Sequence, residues 1–130
     1  MKVKVTELEG HQLNYAVALA DGVDARGILY TWNGQAKLRV PSSTVPCEYN
    51  EVTFNYAYDW AQGGPIIQRE CIAISCIHTT GYTPDTWDAQ HPQRAYAKGK
   101  TPLIAAMRCF VAHMLGDEVE INELVTNNGG

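Results

Sequence analysis

The residues best suited to chemistry lie between Tyr58 and Glu70, where the chain reads YDWAQGGPIIQRE. Aromatic rings, a carboxylate, an amide, a Gly-Gly-Pro step and an Arg–Glu pair occur together. A core has no need of that mixture, whereas a recognition loop does. Gly63 and Gly64 allow close approach of a ligand to the backbone, and Pro65 fixes the direction of exit. Tyr58 and Trp60 offer flat surfaces with a polar tip, Arg69 a planar charged fork, and Asp59 and Gln62 directional hydrogen bonding. Arg69 at the base of this loop has three open fates: a bridge to a carboxylate such as Asp59 or Glu70, which is the favoured one, a contact to a ligand phosphate, or solvation. A base stacked on Trp or Tyr with its phosphate on Arg is a sound physical solution.

Trp87 and Arg94 extend the candidate binding set, with Tyr82 and Tyr96 as further loop aromatics. Gly99-Lys100-Thr101 precedes a helical pattern and resembles the end of a phosphate-binding loop. The glycine required five residues earlier is replaced by Arg94, and Pro102 removes an N–H, so an NTPase loop is excluded. Lys100 and Thr101 at a helix start still suit an anion.

Catalytic patterns are missing. Ser42, Ser43 and Ser75 lie in no nucleophile elbow. Cys76 and His78 are neighbours, but nothing local lowers the thiol pKa. His11, His78, His91 and His113 follow no metal-ligand spacing, with or without Cys71 and Cys76. The reading is a binding protein with no catalytic residues, no metal and no cofactor.

The elements that must position these residues are legible in part. Lys2–Val5 alternates as a strand. Leu13, Ala16, Val17 and Ala20 mark a helix over 11–20, closed by Gly22. Ile28–Trp32 and Lys37–Val40 flank Asn33-Gly34 as a hairpin. Residues 41–50 read as loop, 52–58 as strand, and Cys71–Ile77 as a central strand. The stretch 78–100, with its Pro and Gly residues, reads as a long loop. Thr101 caps a helix over 102–115, with Pro102 at its first position and Leu103, Met107, Phe110 and Met114 on one face. Glu118–Leu124 reads as a last strand. The order predicts an α+β fold, a small mixed or antiparallel sheet with two main helices on one face. One domain spans 1–125, and 126–130 is a tail.

Two blocks, DWAQGGPIIQRECI (59–72) and GKTPLIAAMRCFVAHMLGDEVEI (99–121), occur with the opening MKVKVTELEG and a helix containing LNYAVA. Together they resemble the NinX-like family of tailed-phage proteins, including those encoded in lambdoid accessory regions. Segments 23–51 and 78–98 depart from the pattern. The resemblance implies a phage or prophage origin and a small cytosolic protein, and it carries over no catalytic residues.

Bulk properties narrow the partners. The chain has 130 residues, 45% apolar and 18% charged, with net charge −4 and no run of like charge. Duplex DNA and anionic membranes, which demand clustered Lys and Arg, are excluded. No secretory h-region or membrane-length apolar run occurs. Cys47, Cys71, Cys76 and Cys109 read as reduced thiols of a cytoplasmic protein. Two functions remain in front: capture of a small anionic nucleotide, as a sponge for a host immune signal, or engagement of a host protein. A small enzyme acting on such a metabolite stands third. The expected state is a homo-oligomer.

Overall fold

The computed structural model describes residues 2–22, 29–32, 35–41, 49–77 and 86–121, with side chains for 2–22, 53–77 and 86–121. A strand β1 (Lys2–Lys4) leads through a 3-10 turn (Val5–Glu7) into α1 (Gly10–Ala20). The strands β2 (Leu29–Trp32), β3 (Gln35–Pro41) and β4 (Tyr49–Thr53) follow, then α2 (Trp60–Glu70). The chain continues through β5 (Ala73–Cys76), β6 (Trp87–Gln90), β7 (Tyr96–Gly99), α3 (Pro102–Leu115) and β8 (Glu118–Glu120).

All strand pairs among the described residues are antiparallel. β1 pairs with β8 through Val3↔Val119, bringing the two ends of the described chain together. β2, β3 and β4 form one meander, and β5, β6 and β7 another. The α+β class therefore holds, with three helices and three small sheets among the described residues. The hairpin read around Asn33-Gly34 is present as Trp32↔Gln35 pairing. Its two turn residues, like Tyr82, His78, Cys47, Asp85 and the 126–130 tail, lie outside the described residues.

Helix α3 is the spine. It lies across the β5–β6–β7 sheet and also touches α1 and α2. The sheet face carrying Ala89 and Ala97 is buried against it, while Ser75, Asp88 and Lys98 share the opposite face by register. Leu103, Met107 and Phe110 are buried as expected, and so are Leu13, Ala16, Val17 and Ala20 of α1. Met114 departs from the expectation at 50% exposed, and Leu115 is also exposed. Both lie on the outward side of the last turn of α3, whose other residues stay packed: Ala112 lies against the core and His113 against His91.

Four expectations are corrected. First, residues 60–70 are helix, not a glycine corner. The Asp59 carboxylate accepts the Ala61 N–H at 2.9 Å, Arg69 sits in the last turn, and Cys71 closes the helix in the left-handed region. Gly63, Ile66, Ile67 and Glu70 follow helical spacing, and packing along that face overrides the low propensity of Gly-Gly-Pro. Second, 78–100 is no single loop, because β6 and β7 lie within it. Third, among the described residues β5 is an edge strand rather than a central one. Fourth, β4 spans Tyr49–Thr53 rather than 52–58.

Candidate functional site

The N-termini of α2 and α3 lie side by side because Gly63 lets them approach. A Cβ at Gly63 would sit 2.6 Å from Leu103 Cδ1, and closer still to the carbonyl oxygen of Tyr56. This glycine is required by packing, not by a positive φ. Gly64, one residue on, faces open space.

Above this contact lies a groove of about 170 Å³, lined by Ala57, Tyr58, Trp60, Thr101, Pro102 and Leu103. Trp60 is 55% exposed and Tyr58 50% exposed. The Tyr58 hydroxyl accepts the Gly10 N–H at 2.7 Å, which fixes the ring while leaving its face open. Thr101 Oγ1 accepts the Ile104 N–H at 3.1 Å as the cap of α3, and exposed Lys100 precedes it. Gln62 braces the entry segment: its Oε1 accepts the Asn55 N–H at 2.7 Å and its Nε2 donates to the Thr53 carbonyl. Buried Asn14 completes the bracing from α1, accepting the Ala57 N–H at 2.9 Å and donating to Asn55 Oδ1. Tyr58, Asp59, Trp60, Gln62, Gly63, Lys100 and Thr101 thus gather at one end of the molecule, with Gly64 beside them on α2.

Arg69, Arg94 and Trp87 do not join them. Arg69 lies nine residues along α2, about 13 Å up the axis from Trp60. It donates to Asp21 at 2.9 Å and Glu70 at 3.1 Å, with its guanidinium 5.6 Å from the Phe110 ring centre. The carboxylate bridge is present, but its far partner is Asp21, the C-cap of α1, because Asp59 is held at the opposite end of α2. Arg94 sits in the β6–β7 turn with φ of 74°. Trp87 packs partly buried against the core and pairs with Gly99, whose own missing Cβ admits the backbone of Ala105. Gly99 therefore serves strand–helix contact rather than phosphate.

Two clusters were invisible in the sequence. On the exposed sheet face, Asp88 accepts from Ser75 Oγ and, at 3.0 Å, from the Tyr96 hydroxyl. Those bonds, led by the one from Ser75, lower the Asp88 carboxyl pKa. At the C-terminal ends of α2 and α3, Glu70, His91 and His113 converge. His91 is only 5% exposed, and its Nε2 lies 3.1 Å from Glu70 Oε1. That bond, seconded by Arg69, lowers the Glu70 carboxyl pKa. The His91 and His113 rings stack with centres 3.7 Å apart. Residues spaced by some twenty positions on three elements leave no local signal, so only the fold unites them. A larger cavity of about 340 Å³ includes Lys4, Tyr96, Asp117 and Glu118 in its lining, an acidic balance unsuited to an anion. Among the described residues, Cys71, Cys76 and Cys109 are free thiols, and no helix is long and apolar enough to cross a membrane.

Fold and site define a small α+β domain with a shallow aromatic groove at paired helix N-termini. The chain belongs to the bacteriophage P22 NinX family, whose model matches residues 4–114. No curated protein matches it.

Proposed function

We propose that this phage-family protein is a non-enzymatic binder that captures a small anionic, nucleotide-type ligand at the Tyr58–Trp60–Thr101 groove. The carrying observation is the convergence of two half-exposed aromatic rings with two helix N-termini on one depression. Trp60 offers a stacking face, and the helix ends with Lys100 favour a phosphate. At about 170 Å³ the groove is smaller than the roughly 300–1,000 Å³ of enclosing ligand pockets. The base therefore lies on the surface, and a second copy of the chain covers it. In an infected bacterial cytoplasm such a protein acts as a sponge for a host immune nucleotide.

The same shallowness favours a second reading, a host protein that seats on Trp60 as an anchor. One experiment separates them. Protein purified from its host is analysed by mass spectrometry for retained nucleotides, then screened by thermal shift against mono-, di- and cyclic nucleotides. Retention or stabilisation that disappears in Trp60→Ala supports capture. A Trp60-dependent protein partner with no nucleotide effect transfers the function to the second reading.

A further inference from the structure

We propose that Glu70, His91 and His113 form a binding site for a divalent transition metal, Zn²⁺ in first place, at the end of α2 opposite the aromatic groove. Their donor atoms all lie within 4.8 Å of one another. Two imidazoles and a carboxylate are a ligand set that Zn²⁺ accepts, with bonds of about 2.0–2.2 Å to N and O. Tetrahedral ligands at that distance stand roughly 3.4 Å apart. His91 Nε2 and Glu70 Oε1, at 3.1 Å, already match that edge. A cavity of about 190 Å³, lined in part by Cys71 and Gln90, opens beside His91.

Two adjustments accompany loading. A metal lies in the plane of each imidazole that binds it, and the rings of His91 and His113 are stacked within 15° of parallel. One ring must turn. His113 is the one that turns, since it is half-buried in the last turn of α3, whereas His91 is buried and held from both sides. The second adjustment concerns the His91 proton. Its Nδ1 accepts the Gln93 N–H at 3.0 Å, so the neutral ring carries its proton on Nε2, facing Glu70. Zn²⁺ takes the place of that proton, the ring becomes the Nδ1–H form with no net change in protons, and the Gln93 N–H turns away. The turn that must yield, Pro92–Arg94, is exposed. The bound ion ties the C-terminal ends of α2 and α3 to the β6–β7 turn.

Metal-free protein is titrated with ZnCl₂, and separately with CoCl₂ while visible absorption is followed. One equivalent of Zn²⁺ should bind, raise the melting temperature, and shift the Gln93 amide resonance. His113→Gln should weaken binding at least about tenfold, since even outer-shell partners are worth 10–100-fold. Glu70→Gln should do likewise, while His11→Gln, at the start of α1, should change nothing. Failure of the wild-type chain to bind either metal overturns the proposal. So does binding that survives both ligand substitutions, or binding that leaves the Gln93 amide unmoved. The last criterion uses wild-type protein and holds even if a variant misfolds.

Discussion

Two adjacent glycines should respond with opposite sign to the same added methyl group. At Gly64 a Cβ meets nothing within 4 Å, and the residue is inside α2. Glycine in a helix interior costs about 0.5–1 kcal/mol relative to alanine, so Gly64→Ala should stabilise by about that amount. At Gly63 the same propensity gain is opposed by contact with Leu103 Cδ1 at 2.6 Å and with the Tyr56 carbonyl oxygen. A leucine tip can rotate, but a backbone carbonyl moves only with its chain. Overpacking of this kind costs about 1–3 kcal/mol, more than the propensity gain offsets. At roughly 3–5 °C per kcal/mol for a chain of this size, Gly64→Ala should raise the melting temperature by about 2–4 °C. Gly63→Ala should lower it by several degrees and loosen the α2–α3 contact under the groove. Differential scanning calorimetry with urea titration measures both. Equal effects at the two positions, or destabilisation by Gly64→Ala, would refute the helical placement of this segment and restore the glycine-corner reading.

Trp60→Ala should abolish ligand or partner binding while shifting stability by no more than about 0.5 kcal/mol, because the ring is half exposed and outside the core. Arg69→Lys should leave groove binding unchanged and cost less than about 1 kcal/mol in urea melts, since the bridge to Asp21 is 52% exposed on the arginine side. Asn14→Leu should cost about 1–3 kcal/mol or more by leaving the Ala57 N–H unpaired. Alkali should destabilise the protein. Burial pushes Tyr56 up to about 12 from 10, and burial likewise pushes Cys109 up to about 11 from 9. Both groups are favoured neutral in the fold, so their contribution is full below their ordinary values and is lost as pH rises through 9–12. Tyr56→Phe should flatten the upper part of that decline in melting temperature against pH.

Local signals specified what depends on neighbours in the chain. The 3.6-residue spacing of Leu13, Ala16, Val17 and Ala20, and the Thr101-Pro102 start before Leu103, Met107 and Phe110, define α1 and α3. Asn33-Gly34 between alternating runs defines the β2–β3 pairing. The α+β class and the family resemblance follow from the same local information. Tertiary contacts decided the rest. Helix α2 contains three poor helix formers in a row, and it persists because Gly63 fits against Tyr56 and Leu103 while Ile66 is buried. β6 and β7 are short, and they gain their stability from α3 lying across them. The aromatic groove was half legible, since Tyr58 and Trp60 are close in sequence, but only the α2–α3 contact adds Thr101 to them. Arg69 finds Asp21 rather than Asp59 because a helix separates its two ends by its length. The Glu70–His91–His113 cluster lies wholly on the tertiary side: three side chains without any sequence spacing meet because α2, α3 and the β6–β7 turn end at the same place.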